Sequence, residues 1–139
     1  MNLERAIQIA VEAHAGVTDK NGAPYILHPL RVMLSLSTEE ERMVGVLHDV
    51  VEDSEWTLET LANEGFSRNV IDAIASVTKS PKDLDYFHFV KRAKANEIGR
   101  RVKLADLKDN LDVTRLNELT DKDRDRVNKY LKAKILLES

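Results

Sequence analysis

The stretch that decides the fold is Met43-Val-Gly-Val-Leu-His-Asp-Val-Val-Glu-Asp53. Wound as a helix at about 100° per residue, it places His48, Asp49, Glu52 and Asp53 on one side. The six side chains on the opposite side are all aliphatic or methionine. One helix therefore separates an ionisable face from an apolar face, and the apolar face predicts packing against other helices.

Helical periodicity continues on both sides of this stretch. Thr38 and Glu41 have the spacing of a capping box, which predicts that the central helix begins there and runs to about Asp53. An earlier helix carries one apolar stripe, made of Leu3, Ala6, Ile7, Ala10 and Val11. His14 continues that stripe, and we expect it to be a hydrogen-bonded core histidine.

Caps and breakers predict the remaining helices. They follow a loop from Gly16 to His28 and begin at Pro29, after Thr57, after Ser67, at Asp83, near Glu97 and at Asp121. We expect these helices to end near Gly65, Ser80 and Asp112, and the last to reach the end of the chain. In the last helix, Val127, Tyr130, Leu131 and Ile135 are predicted to face inward. Because no strand pattern alternates with these helices, the prediction is one all-α domain over residues 1–139, a compact multi-helix bundle.

The composition excludes several classes of protein. Acidic and basic residues are interspersed at a net charge of −3, unlike the basic surface of a nucleic-acid-binding protein. Without cysteine there is no thiol catalysis and no thiolate metal site. No apolar run reaches the roughly 18 residues of a membrane span, and the N-terminus lacks the regions of a signal peptide. We therefore expect a cytoplasmic protein without a nucleic-acid or membrane partner, and the sequence indicates no oligomeric state.

A second polar stripe lies on the helix predicted near residues 97–112. Gly99, Lys103, Asp106 and Asn110 fall within about 60° of one another, beside an apolar strip. Taken alone, Asp106 is typical of a solvated carboxylate, and His28 of a capping or structural histidine. The ionisable face of residues 43–53 is equally typical of a solvated surface. A divalent cation is the alternative partner for such a concentration of ionisable groups.

The order His28, then His48-Asp49, then Asp106 resembles the HD superfamily of metal-dependent phosphohydrolases. The finer text resembles the hydrolase domain of RelA/SpoT-type alarmone enzymes and the stand-alone small alarmone hydrolases, from Ala10 to about Leu116. The blocks that carry this resemblance are Ala13-His14-Ala15-Gly16, Lys20-Asn21-Gly22-Ala23-Pro24-Tyr25-Ile26-Leu27-His28-Pro29, His48-Asp49-Val50-Val51-Glu52-Asp53, Val77-Thr78-Lys79 and Val102-Lys103-Leu104-Ala105-Asp106.

The resemblance implies an HD-domain bundle that holds one divalent ion, usually manganese. The implied metal ligands are His28, His48, Asp49 and Asp106. Two imidazoles and two carboxylates leave room for waters in an octahedral shell, which suits manganese better than a closed tetrahedral zinc site.

The resemblance also assigns catalytic and substrate-binding residues. Glu52 and Asp53 match the catalytic acidic pair, in which one carboxylate takes a proton from water and the other positions the water or protonates the leaving oxygen. The sequence leaves the division of these roles open. Asn110 matches a residue that shapes the site. The candidate phosphate contacts are Lys20, Lys79 and Lys103, with solvated surface lysines as the alternative.

The departures from the family concern the substrate. Asp19 stands where alarmone hydrolases commonly place an arginine that meets the base. Leu107-Lys108-Asp109-Asn110-Leu111-Asp112 replaces the usual Arg-Leu-His-Asn-Met-Arg. The resemblance implies a phosphohydrolase that removes the 3′-pyrophosphate from a guanosine or adenosine alarmone such as (p)ppGpp. Another HD-type nucleotide phosphatase and a catalytically silent nucleotide-binding module are the alternatives, and the presence of both Glu52 and Asp53 argues against the second.

Overall fold

The computed structural model describes all residues from Met1 to Ser139. Nine α-helices and one short 3-10 helix follow one another along the chain. They are α1 (Leu3–His14), α2 (Leu27–Leu34), α3 (Glu39–Leu47), α4 (Val50–Asp53), α5 (Leu58–Asn63), α6 (Arg68–Ser76), α7 (Tyr86–Lys94), α8 (Glu97–Asn110), the 3-10 helix Val113–Arg115, and α9 (Asp121–Glu138). The predicted all-α class is confirmed. None of these helices combines the length and the apolar character that crossing a membrane requires.

Side-chain caps explain where most of these helices begin. Thr38 and Glu41 form the predicted capping box at the start of α3, and Thr57 and Ser67 cap α5 and α6. The other caps are Asn2, Asp85, Asn96 and Thr120, each of which accepts a hydrogen bond from a backbone N–H in the first turn. Each cap satisfies a backbone donor that the helix itself leaves unpaired.

Helix α3 lies at the centre of the bundle, in contact with α1, α2, α6 and α8. Its Val44, Val46 and Leu47 are fully buried in the main core. A smaller cluster, formed by Val90, Leu107, Ala133 and Leu137, joins α7, α8 and α9. Helices α2 and α8, which carry His28 and Asp106, therefore contact each other, and both contact α3, which ends just before His48.

The central helix is not continuous, and this part of the prediction is wrong. Helix α3 ends at Leu47 and α4 begins at Val50, with His48 and Asp49 forming a turn between them. Adjacent side chains of an unbroken helix point about 100° apart. The turn instead brings His48 Nε2 within 3.1 Å of Asp49 Oδ2. The break therefore directs both side chains at one point.

The inward face predicted for α9 is also wrong in part. Leu131 and Ile135 are 46% and 69% exposed, whereas Ala133 and Leu137 are fully buried. Helix α9 packs on α7 and α8 through Ala133 and Leu137. Alanine is a weak hydrophobic signal beside Leu131 and Ile135, and the sequence pattern therefore selected the neighbouring stripe.

Candidate metal and catalytic site

Four side chains meet between α2, the α3–α4 turn and α8. His28 Nε2 lies 3.0 Å from Asp106 Oδ1 and 3.8 Å from Asp49 Oδ2. His48 Nε2 lies 3.4 Å from Asp106 Oδ1 and 3.1 Å from Asp49 Oδ2. The ligand atoms of His28, His48 and Asp49 all lie within 4.8 Å of one another. The structure thus brings together the four residues that the sequence predicts as metal ligands.

Hydrogen bonds on the far side of each ring engage Nδ1 of the two histidines. His48 Nδ1 lies 2.6 Å from the carbonyl oxygen of Gly45. Because a carbonyl oxygen only accepts, His48 Nδ1 carries the proton and Nε2 faces the carboxylates. His28 Nδ1 also donates to an acceptor, Asp109 Oδ2 at 2.6 Å, but its Nε2 lies 3.0 Å from a second acceptor, Asp106 Oδ1.

The donor set fits a divalent cation. His48 Nε2 is buried and has no hydrogen-bond partner, although Asp49 and Asp106 lie beside it. A cation coordinated by this nitrogen and by the two carboxylates would satisfy all three groups. Burial opposes protonation of His48, but the adjacent Asp49 and Asp106 raise the pKa of its imidazole well above the usual value. The cluster therefore takes up positive charge, and a bound metal would displace the proton.

Three neighbouring side chains donate hydrogen bonds to the two carboxylates. The Tyr25 hydroxyl donates to Asp49 Oδ2. Lys103 Nζ donates to Asp106 Oδ2 and Asn110 Nδ2 to Asp106 Oδ1, both at 3.0 Å. Burial by itself would raise the pKa of Asp106, but Lys103 and the two histidines hold that pKa well below its usual range. Asp106 is therefore ionised, as a metal ligand must be.

Glu52 and Asp53 lie on α4, at the exposed edge of this cluster. Glu52 Oε1 accepts a hydrogen bond from the backbone N–H of Lys79, in the loop after α6. Asp53 instead lines the adjacent cavity. Burial and the nearby carboxylates of Asp49 and Glu52 raise the pKa of Asp53 to about 6. Such a carboxyl group can exchange a proton close to neutral pH.

A cavity of about 660 Å³ opens beside the ligand cluster. Its wall includes Tyr25, His28, Asp53 and Asn110. The basic side chains on the wall are Lys20, Arg31, Arg115 and Arg126, and the further acidic ones are Asp19, Asp109 and Asp112. The volume lies within the usual range for small-molecule sites.

Of the four residues predicted to contact the substrate, two line the cavity and two do not. Lys20 and Asn110 line the cavity. Lys79 is exposed, and its backbone N–H contacts Glu52. The prediction that Lys103 contacts a phosphate is wrong. Its Nζ is buried beneath Asp106 and lies 4.8 Å from the centre of the Phe89 ring. The Lys103 amine therefore does not reach a phosphate in the cavity, because it donates its hydrogen bond to Asp106.

Asp19 lines the cavity and also closes its own loop. Its Oδ1 accepts hydrogen bonds from the backbone N–H groups of Asn21 and Ala23, at 2.8 and 3.0 Å. Aspartate commonly stabilises turns in this way, and Gly22 supplies the positive φ of +84°. The loop geometry thus accounts for an aspartate here without any contact to a base.

Sequence reasoning missed three residues around the site and misjudged a fourth. Tyr25, Arg31 and Asp109 were assigned no role, although Arg31 follows His28 and Asp109 follows Asp106 at the i+3 spacing of one helix face. His14 was expected to be hydrogen-bonded, and this is wrong. Both ring nitrogens of His14 are buried without a hydrogen-bond partner. The centre of its ring lies 5.0 Å from the centre of the Tyr25 ring.

Several known proteins are similar to this chain in sequence. The GTP pyrophosphokinase of Streptomyces coelicolor is 39% identical over 104 residues, which are 72% of this chain and 12% of that protein. A guanosine-3′,5′-bis(diphosphate) 3′-pyrophosphohydrolase of Aquifex aeolicus is 37% identical over 84 residues, 58% of this chain and 12% of that protein. The bifunctional (p)ppGpp synthase/hydrolase SpoT of Escherichia coli is 34% identical, with the same coverage of 58% and 12%. The chain spans about 12% of the length of these curated relatives. No protein-family model matches it.

The fold has a counterpart among solved structures. A structure described as a metazoan ortholog of SpoT that hydrolyzes ppGpp superposes with a TM-score of 0.78. The match covers 97% of this chain and 84% of the other chain at 24% sequence identity, so it establishes the fold. The chain is similar to one segment of these RelA/SpoT-type enzymes, and it shares the fold of the SpoT ortholog. The four-residue cluster of this chain holds the His, His-Asp and Asp residues on which the sequence resemblance rests.

Proposed function

We propose that this domain is a divalent-metal-dependent phosphohydrolase that removes the 3′-pyrophosphate from a (p)ppGpp-type nucleotide. The observation that carries the proposal is the buried, unpartnered His48 Nε2, which faces Asp49 and Asp106 beside a nucleotide-sized cavity. The names of two relatives, a 3′-pyrophosphohydrolase and a (p)ppGpp synthase/hydrolase, support the choice of substrate and of bond. A cytoplasmic location and one domain over residues 1–139 stay predictions.

The metal-binding residues of the proposal are His28, His48, Asp49 and Asp106. Manganese is the proposed ion, because two imidazoles and two carboxylates suit an octahedral shell that is completed by waters. When bound, such an ion supplies a Lewis acid for a phosphoryl oxygen and a water of lowered pKa.

The acidic pair of α4 handles the protons in this proposal. Asp53 lines the cavity, and its raised pKa of about 6 suits a group that gives a proton to the leaving oxygen. Glu52, held by the backbone of Lys79, takes the proton of the attacking water. The different surroundings of the two carboxylates, the cavity for Asp53 and the Lys79 backbone for Glu52, support this division of roles.

Cationic side chains of the cavity wall would receive the phosphates. Lys20, Arg115 and Arg126 line the cavity, and Asn110 lies between this wall and Asp106. A guanidinium group can hold a phosphate through two parallel hydrogen bonds. The Asp19 carboxylate is negatively charged, like the phosphates, and it accepts hydrogen bonds from the backbone of its own loop.

The test is turnover of ppGpp by the Mn²⁺-loaded protein, with the products separated by chromatography. We expect GDP and pyrophosphate. Glu52→Gln should lower kcat about 100-fold or more and leave bound Mn²⁺ unchanged, since a general base contributes that much to the rate without binding the metal. Glu55→Gln removes an exposed carboxylate three residues away and serves as the matched control.

Other outcomes would contradict the proposal in distinct ways. Release of orthophosphate from a nucleoside monophosphate, with ppGpp intact, would indicate another HD-type phosphatase. Nucleotide binding without hydrolysis in the presence of Mn²⁺ would indicate a silent binding module. Loss of Mn²⁺ in Glu52→Gln would make Glu52 a ligand of the metal.

A further inference from the structure

We infer that Asp109 is a positioning residue for metal binding, which holds the His28 ring in the orientation and tautomer that present Nε2 to the ligand cluster, and that Arg31 holds Asp109 in place. This inference rests on the metal site of the proposed function. It assigns a role to a position at which the sequence departs from the alarmone hydrolases.

Both oxygens of the Asp109 carboxylate are engaged. Oδ2 accepts from His28 Nδ1 at 2.6 Å and from an Arg31 terminal nitrogen at 3.1 Å. Oδ1 accepts from Arg31 Nε at 2.7 Å. The Asp109 side chain is only 11% exposed, and an Arg115 terminal nitrogen lies 3.5 Å from Oδ1. The carboxylate is thus fixed on the far side of the His28 ring from the ligand cluster.

The bond to Asp109 decides which nitrogen of His28 can bind a metal. A neutral imidazole has one N–H donor and one acceptor nitrogen. In the metal-free protein His28 Nε2 also faces an acceptor, Asp106 Oδ1 at 3.0 Å. A metal at Nε2 would leave the ring with one proton, and this proton would stay on Nδ1 because the Asp109 carboxylate can only accept. A carboxylate in this position also makes the imidazole a more basic ligand, and loss of such a partner typically weakens metal binding 10- to 100-fold.

Arg31 fixes the orientation of the Asp109 carboxylate and balances its charge. Its bidentate contact with Asp109 fixes the plane of the carboxylate and offsets the negative charge beside Asp49 and Asp106. Arg31 lies one turn after His28 on α2, and Asp109 lies about one turn after Asp106 on α8. The pair therefore joins the two helices that carry two of the proposed ligands.

The first test is nuclear magnetic resonance of the metal-free protein with ¹⁵N in its histidine rings. We expect two protected, downfield Nδ1 protons, one from His28 and one from His48. Asp109→Ala should remove the His28 signal and keep the His48 signal, whose acceptor is the Gly45 carbonyl. Asp109→Asn should retain a weaker His28 signal, because an amide oxygen still accepts. A wild-type spectrum with the His48 signal alone would overturn the inference.

The second test is the dissociation constant for Mn²⁺, read from the electron paramagnetic resonance signal of the free ion. Asp109→Ala should weaken binding 10- to 100-fold, with Asp109→Asn between it and the wild type. Asp112→Asn removes a charge from the same cavity wall without touching His28 and should change binding little. Equal weakening in all three variants would mean that only charge matters, and it would overturn the inference.

These two measurements also separate this inference from the proposed function. A wild type that binds no Mn²⁺ contradicts the proposed metal site, whereas the ring-proton spectrum of the same sample decides the role of Asp109 independently. Circular dichroism of Asp109→Ala shows whether the variant has kept its fold. If it has not, Asp109→Asn supplies both readouts.

Discussion

Among single residues, Asp53 is a carboxyl group of the site whose pKa is raised. Burial disfavours its ionised form, and the carboxylates of Asp49 and Glu52 disfavour it further, so that its pKa is about 6 rather than the ordinary 3.8. An acid whose pKa is higher in the folded state than in the unfolded state destabilises the fold once it ionises. Groups with such pKa values concentrate at functional sites, where the chemistry needs them.

The sign of this effect gives a prediction for the metal-free protein. Below about pH 4, Asp53 is protonated in both states, and above about pH 6 its ionised form weakens the fold. Asp53→Asn should therefore raise the midpoint of thermal unfolding at pH 7.5 in the presence of a chelator, and the gain should disappear at pH 3.5. Circular dichroism melts at both values of pH measure the difference. A variant that is equally stable or less stable than the wild type at pH 7.5 would contradict the assignment.

At the scale of elements, two glycines permit the helix contacts that shape the site. A Cβ at Gly45 would lie 2.6 Å from Leu36 Cδ1, the end of a flexible side chain. A Cβ at Gly99 would lie 2.0 Å from Ser76 Oγ and 3.4 Å from the backbone oxygen of Ala93. Gly99 thus lets α8, which carries Asp106, approach α6 and α7. Both glycines serve helix packing, although they share a helix face with site residues.

The contact at Gly99 predicts the effect of a substitution. Gly99→Ala should lower the free energy of unfolding by up to about 2 kcal/mol, because an overpacking cost of about 1–3 kcal/mol outweighs the roughly 1 kcal/mol that alanine adds to a helix. Urea unfolding measures this change. In the background of Ser76→Ala, the same substitution should cost less, since the hydroxyl that lies 2.0 Å away is gone. A Gly99→Ala variant more stable than the wild type would show that α8 can shift freely.

At the scale of the whole molecule, the ligand cluster joins segments that are distant in sequence. His28, the His48-Asp49 turn and Asp106 come from α2, the α3–α4 break and α8, and they meet only in the folded chain. An ion held by all of them binds the folded state and not the unfolded state. Its binding free energy therefore adds to stability.

Mn²⁺ should accordingly raise the thermal stability of the protein. At a free concentration 100 times the dissociation constant, the gain is about 2.7 kcal/mol, which corresponds to a shift on the order of 10 °C for a chain of this size. Differential scanning calorimetry with Mn²⁺ and with a chelator measures the shift. His48→Ala should lose most of it. A shift of the same size in His48→Ala would place the ion elsewhere.

The sequence by itself was sufficient for the helical class and for the helix starts that Thr38, Thr57 and Ser67 cap. It placed the starts of α2 and α7 at Pro29 and Asp83, whereas these helices begin at Leu27 and Tyr86. Periodicity and caps are local, and therefore the capping box of Thr38 and Glu41 and the helix that carries Asp106 were both predicted correctly. The resemblance to the HD superfamily implied one site made of His28, His48-Asp49 and Asp106, and these side chains do meet in the folded chain.

Only the tertiary structure decided how each of these groups is used. The turn at His48 and Asp49 was hidden because a helical sequence pattern continues through it. Lys103 and Asn110 share one helix face, but burial beneath Asp106 takes the lysine away from the cavity. Asp109 gains its partners His28 and Arg31 across 81 and 78 residues of chain. Contacts over such separations depend on how the helices pack, and no local pattern encodes them.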